Sequence, residues 1–313
     1  MHSNLNENSL AEQPVIAWLK ELGYDYEQGP DLAPGQITAE RENFREVLLL
    51  PRLKRSLIRI NPFLNDSSVE EIIEQLARVE HPNLEEENRQ IHRLLTEGAK
   101  YDLFDEVDAF GNKKEQSLPV HFFDFENPQN NEFLVVNQLA VQGPDCVRRP
   151  DAVVYVNGIP LSVFELKSPT NQSGTIRSAY LQLEGYKKDI AQLFRYNHLL
   201  VISDLVKARY GTVSSAWDRF AVWKGLESEQ DDIKGISELE VLVKGIFHKN
   251  RLLDIFRYFT IFEADSDGDS PKYTKKVAQY HQYYGVNKAI VATTKALKPS
   301  GDGKIGVFWH TQG

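Results

Sequence analysis

The stretch from Arg149 to Lys167, Arg149-Pro150-Asp151-Ala152-Val153-Val154-Tyr155-Val156-Asn157-Gly158-Ile159-Pro160-Leu161-Ser162-Val163-Phe164-Glu165-Leu166-Lys167, constrains this chain more than any other. Asn157-Gly158 stands between two runs rich in β-branched and aromatic residues, and both turn residues tolerate the positive φ that a tight hairpin demands. The two runs therefore pair antiparallel. Folding about the turn carries the start of the first strand to the end of the second, so Asp151 and Glu165 become neighbours although 14 positions separate them. Two carboxylates at one end of a sheet invite a divalent cation.

Parity tests that reading. Opposed residues share a sheet face, and a strict two-residue loop pairs Val156 with Ile159. Asp151 then faces Phe164, and Glu165 points to the other side. For the two acids to converge, the register must slip by one, through a three-residue loop or a single bulge. The expectation is that the loop is not of the simple two-residue type. Lys167 is two residues beyond Glu165 and shares its face in any register.

A carboxylate pair with a lysine suits phosphodiester hydrolysis. Mg2+ prefers hard oxygen ligands and keeps several waters, so Asp151, Glu165 and a backbone carbonyl such as that of Leu166 could hold one or two ions. The metal would polarise the phosphoryl oxygens and acidify a bound water, and Lys167 would orient that nucleophile or offset developing charge. The competing reading is a surface hairpin whose Glu165 and Lys167 form an exposed network. Against it, Phe164 and Leu166 read as buried, and charges set into an apolar strand are costly without a role.

Around the hairpin the pattern is mixed. Leu10 to Gly23 reads as a helix with a glycine cap, Tyr24 to Gly35 as loop, and Ala39 to Ile60 as a helix kinked or interrupted at Pro51. Asn65 to Leu95 is helical in pattern and strongly acidic. Short strands are expected at Val120 to Phe125, Phe133 to Val141, Ala152 to Val156, Leu161 to Leu166, His198 to Ile202, Ala208 to Val213 and Phe220 to Lys224. Between them, Ile176, Ala179, Leu183, Tyr186, Ile190 and Leu193 mark a crossover helix. Strands on both sides of such a helix indicate an α/β fold, a mixed sheet flanked by helices. Leu239 to Phe256 is mostly helical, Asp265 to Pro271 a polar loop, and Tyr273 to Leu297 a last helix.

The chain has 36 Lys and Arg against 45 Asp and Glu, a net charge of -9, and one cysteine. Cys146 has no partner for a disulfide or a Cys-based zinc site, which points to a reducing compartment, the cytoplasm. No apolar stretch approaches the length a bilayer requires, so no membrane partner is expected. The net charge alone would discourage nucleic acid, but much of the excess acid lies between Asp66 and Glu87, away from the hairpin. Arg148, Arg149, Arg177, Lys187, Lys188 and Arg195 surround the motif in sequence and could meet phosphates or be ordinary surface cations. The eight histidines show no pair at metal-ligand spacing.

Pro150-Asp151 followed by Glu165-Leu166-Lys167 resembles the PD-(D/E)XK nuclease signature. The intervening Val156-Asn157-Gly158-Ile159-Pro160-Leu161 resembles the N-terminal nuclease domain of type I restriction enzyme R subunits. Gln182-Leu183-Glu184-Gly185-Tyr186 matches a Gln-x-x-x-Tyr motif that follows the catalytic strand in that family. Its two ends lie one helical turn apart on one face, although Tyr186 also fits the apolar stripe as a core residue. Asn61-Pro62, Asp124 to Pro128, Tyr196-Asn197 through Ser203-Asp204, Tyr280 to Tyr283 and Gly306 to Gly313 are similar to further family blocks.

The resemblance implies a PD-(D/E)XK core in which Asp151, Glu165 and Lys167 are catalytic, with Asp151 and Glu165 binding Mg2+ and Gln182 and Tyr186 supporting the site or its DNA. Glu12 is an additional candidate ligand on the first helix, and Gln282 a candidate adenine-reading residue ahead of an ATP-driven motor. It implies a division into an endonuclease domain at 1–225, a helical linker at 226–260 and the start of a RecA-like motor at 261–313. The P-loop lysine falls outside these residues, so this fragment is expected not to hydrolyse ATP, which the full-length parent would use for translocation. Implied partners are double-stranded DNA and the methylation (M) and specificity (S) subunits. Two alternatives stay open: a non-catalytic DNA-binding or docking module, and a freestanding repair or RNA-processing nuclease of the same superfamily.

Overall fold

The computed structural model describes residues 7–107, 113–168, 174–228, 230–265 and 272–307. Phe308 to Gly313, the end of the last family-like block, lie outside the described residues.

The chain begins with helix α1 (Glu7–Glu21), which buries Glu12, Val15, Ile16 and Leu19 on one face. Gly23, at φ +84°, ends it: its N–H bonds to the Lys20 carbonyl (2.9 Å) and that of Tyr24 to Leu19 (3.0 Å), the paired bonds of a glycine C-cap. The expected loop at Tyr24 to Gly35 then holds a short strand, β1 (Asp25–Gln28). The expected helix at Ala39 to Ile60 is shortened. Residues 39–49 are irregular, and α2 spans Leu50–Ile60 with Pro51 in its first turn, where a missing N–H costs nothing. Pro51 therefore starts a helix and does not kink one.

The acidic stretch forms two helices, α3 (Asp66–Ala77) and α4 (Leu84–Glu97), capped by the side chains of Asn65 and Asn83. A hairpin follows, β2 (Ala99–Val107) and β3 (Lys113–Val120), so the strand expected from Val120 ends there, and Phe122 and Phe123 fill the core from irregular backbone. Then come β4 (Phe133–Asn137), the short β5 (Val141–Gln142) and β6 (Val147–Arg148), and the central hairpin β7 (Ala152–Val156) and β8 (Ile159–Leu166). Helices α5 (Ile176–Asp189) and α6 (Ala191–Phe194) lead to β9 (Leu199–Ser203) and β10 (Ala208–Gly211). The strand expected at Phe220 to Lys224 is reduced to one bridge, Ala221 to Tyr210.

These strands build a six-stranded sheet in the order β1-β4-β7-β8-β9-β10. β1/β4 and β8/β9 are parallel and the other pairs antiparallel, which makes the expected mixed sheet flanked by helices. Every residue of β7 and β8 is buried. That burial is what places charged groups on β8 in a low dielectric.

Beyond the sheet lie α7 (Glu238–Ile246) and α8 (Lys249–Tyr258), the hairpin β11 (Thr260–Asp265) and β12 (Lys272–Val277), and α9 (Tyr280–Ala296). The helix expected from Tyr273 therefore starts seven residues later, because Lys272–Val277 pair with β11. Phe247 packs against Phe164 of β8 at 5.0 Å and Phe256 against Phe123 at 5.6 Å, while the Tyr24 hydroxyl donates to the Phe247 carbonyl (2.8 Å). α7 and α8 thus share one hydrophobic core with the sheet.

Candidate active site

The turn between β7 and β8 is the simple two-residue type after all. Asn157 and Gly158 have φ +51° and +80°, and Val156 opposes Ile159. The parity slip comes instead from a bulge. Tyr155 faces Pro160 but Val154 faces Ser162, which leaves Leu161 as the extra residue. Beyond it Ala152 faces Phe164, so the next step along both strands sets Asp151 against Glu165. Pro160 sits where a strand can tolerate it, beside the bulge.

The expected residues converge. Asp151, 4% exposed, accepts the Leu166 N–H on Oδ2 at 2.7 Å. Glu165, 1% exposed, accepts the Lys167 ammonium on Oε1 at 2.6 Å, and its Oε2 is buried without a hydrogen-bond partner. The same ammonium reaches Gln182 Oε1, whose amide donates to the Tyr186 hydroxyl. Tyr186 in turn donates to the Arg149 carbonyl at 3.4 Å. Gln182 and Tyr186 are neighbours on α5 by helical spacing, and α5 packs on β8. Tyr186 is also buried, as its place in the apolar stripe of the helix requires.

Burial sets the electrostatics. Asp151 is pushed up to about 6, chiefly by desolvation, with the Glu12 charge adding to it against the Leu166 N–H and Lys167. Glu165 is pushed up to about 8 by desolvation and then by Asp151, with Lys167 opposing. Each carboxyl therefore holds its proton to a higher pH than a free one, and Lys167 only partly offsets the cost of ionising them.

Glu12 lies close enough to raise both carboxylates, but its oxygens accept the side-chain amides of Asn137 (2.9 Å) and Gln138 (2.6 Å). Among the described residues no three His, Cys, Asp or Glu side chains form a metal-binding group, so Asp151 and Glu165 stand as a pair. The two amides were missed by sequence reasoning. Their only signal was position, at the end of β4 beside the start of β7. Gln138 adopts φ +52°, and its N–H holds the Asp151 carbonyl at 3.2 Å.

Gln282 is elsewhere. It occupies the first turn of α9, where its Oε1 accepts the Gln279 N–H (2.9 Å) in a capping box. Several flanking cations are engaged: Arg148 with Asp189 (2.6 Å), Lys187 with Glu184 (2.5 Å) and Arg195 with Glu87 (3.2 Å). Arg177 stacks over Tyr180 and Trp217. Arg149 and Lys188 are exposed.

Fold and site together define an α/β protein with a desolvated carboxylate pair at the end of its central hairpin. The family described as "Type I restriction enzyme R protein N terminus" matches residues 4–219, and the chain belongs to that family. It is 38% identical to the type I restriction enzyme HindI endonuclease subunit of Haemophilus influenzae over 99% of its own length and 29% of that protein. It is 34% identical to the putative type I restriction enzyme MjaIXP endonuclease subunit of Methanocaldococcus jannaschii over 99% of this chain and 30% of that one. A Staphylococcus aureus type I restriction enzyme endonuclease subunit matches at 25% over 72% of this chain and 23% of the relative. The chain thus spans under a third of the curated relatives it matches.

Proposed function

We propose that this chain is the DNA-cleaving region of a type I restriction enzyme, a PD-(D/E)XK endonuclease that depends on Mg2+. The observation that carries this reading is the buried, unpartnered Oε2 of Glu165 beside Asp151, with both carboxylates displaced upward. Two hard carboxylate donors, with no third His, Cys, Asp or Glu grouped with them among the described residues, suit an ion that keeps several waters. Asp151 and Glu165 would hold that ion, with Glu12 adding negative potential from its bonds to Asn137 and Gln138. A bound Mg2+ supplies Lewis acidity toward a phosphate oxygen and lowers the pKa of water.

The chain's own groups do the rest. Lys167 is fixed between Glu165 and Gln182, so its ammonium is held for the attacking water or the scissile phosphate. Gln182 and Tyr186 hold that lysine from α5, and exposed Arg149 and Lys188 offer phosphate contacts. In this reading residues 1–225 are the nuclease, 226–260 the link and 261–313 the start of a RecA-like motor, in which Gln282 reads adenine. Double-stranded DNA and the M and S subunits are the partners, in the cytoplasm; no described helix is long and apolar enough to cross a membrane.

In the reconstituted complex, Asp151→Ala or Lys167→Ala should abolish DNA cleavage while ATP turnover and translocation stay within about twofold. Equal loss of all three activities would make the hairpin structural and favour a docking module.

A further inference from the structure

The bulge that brings Glu165 opposite Asp151 is held from outside its own hairpin. The Leu161 carbonyl accepts the His198 N–H at 2.6 Å and the Asn197 side-chain amide at 3.3 Å. Asn197 and His198 immediately precede β9, both fully buried, and the same Asn197 amide also ties back to the Leu199 carbonyl at 2.9 Å. Asn197 is itself gripped. Its carbonyl accepts from the Asn88 amide of α4 (2.8 Å) and from the Lys275 ammonium of β12 (2.8 Å). Lys275 also donates to Asn88 Oδ1 (3.0 Å), and the Asn88 amide reaches the carbonyls of Phe194 and Arg195. Asn88 and Lys275 are 1% and 2% exposed.

So many polar groups in a core need a reason, since each costs free energy unless fully bonded. The location of the bulge supplies one. Without the extra residue at Leu161, β8 would keep the register of the turn, and Glu165 would face away from Asp151. Bulging one residue earlier or later would alter the twist and aim of the strand that carries Glu165 and Lys167. Pro160 has no N–H to contribute beside the bulge, and the Leu161 carbonyl is bonded from the His198 and Asn197 side.

We propose that Asn197 is a positioning residue for the Asp151 and Glu165 pair: it pins the Leu161 bulge, while Asn88 and Lys275 hold Asn197. The inference rests on the nuclease reading above. Through Lys275 it also ties the β11–β12 hairpin, 110 residues beyond Glu165, to the geometry of the cation site.

The test uses full-length, nucleotide-free protein titrated with Mn2+ and read by electron paramagnetic resonance, with Asp151→Ala defining the site. Asn197→Ala should weaken Mn2+ binding by about tenfold, the low end of what losing a group bonded directly to a ligand costs, because Asn197 acts on the pair through the strand. The Mg2+ needed for half-maximal cleavage should rise in parallel, with KM for DNA unchanged. In metal-free protein, hydrogen exchange in residues 159–166 should accelerate. Lys275→Met keeps the chain length without the ammonium and should move each quantity the same way by a smaller factor. Ile72→Val, a core truncation on α3, controls for stability and should shift melting without touching Mn2+ affinity. If Asn197→Ala does not fold, Lys275→Met decides. Wild-type Mn2+ affinity and Mg2+ requirement in the folded variant would overturn the positioning role. Wild-type Mn2+ binding indifferent to Asp151→Ala would instead sink the nuclease reading, and this proposal with it.

Discussion

Asp151 shows at the scale of one residue how a site can work against the fold that holds it. Burial raises its pKa from 3.8 to about 6, so the ionised form is disfavoured in the native state. The sign follows directly. Well below pH 3.8 the group is protonated in folded and unfolded chains alike and costs nothing; the penalty grows between 3.8 and about 6 and is complete above that. Glu165 repeats the pattern up to about 8. Metal-free protein should therefore lose stability as pH rises from about 3 to 8, and Asp151→Asn should restore about 1–3 kcal/mol at pH 8 and almost nothing at pH 3. The same variant should be dead for cleavage. Urea melts with a chelator, at both pH values, check the claim; a destabilised variant at pH 8 would mean the carboxylate is structurally satisfied. Strand alternation put Lys167 on the face of Glu165, but the meeting of Asp151 with Glu165 needed a slip of register that parity could only demand. Gln182 and Tyr186 entered through the family resemblance, helical spacing adding only that they share a face. Asn137 and Gln138 were not legible, because neither lies near Glu12 in sequence and an amide at a strand end carries no pattern.

The hairpin β7–β8 carries the element-scale argument. Gly158 needs positive φ, and a Cβ there would lie 2.5 Å from the Leu49 carbonyl. That carbonyl belongs to the irregular segment before α2, whose Leu49 N–H bonds back to the Gly158 carbonyl at 2.9 Å. Gly158→Ala should therefore cost about 2 kcal/mol or more by denaturant melting, combining left-handed strain with a backbone clash. A loss under about 0.5 kcal/mol would mean that the segment before α2 moves aside freely. The hairpin was plain from Asn157-Gly158, but parity demanded either a longer loop or a bulge, and the expectation of a loop other than the two-residue type was the wrong one of the two. The place of the bulge was less open than it looked, since Pro160 inside a central strand is itself a bulge signal. β12 stayed hidden for a different reason. Its one buried residue is Lys275, and hydrophobic periodicity cannot mark a strand whose inward side chain is a charge. The run from Lys272 consequently merged with the helix that follows.

At the scale of the whole molecule, the sheet and the helices after it pack into one buried cluster. Phe247, between α7 and α8, packs on Phe164 in the strand that carries Glu165, and its carbonyl anchors Tyr24 beyond α1. Phe256 of α8 lies against Phe123 and against His198, next to the residue that pins the bulge. A tether would leave these contacts in water; here they belong to the buried core. Part of the acidic surplus sits on α3, which carries Asp66, Glu70, Glu71 and Glu74, and on α4, which carries Glu85, Glu86, Glu87 and Glu97. Phe247→Ala should cost about 3–5 kcal/mol, the usual range for emptying a core aromatic. Because the cavity would open between α7 and β8, hydrogen exchange should accelerate in both at once, and both should unfold at one denaturant concentration. If α7 and α8 instead opened first while β8 kept its protection, the link would be a separate unit. Mechanical coupling from the following hairpin to the carboxylate pair would then have no rigid path.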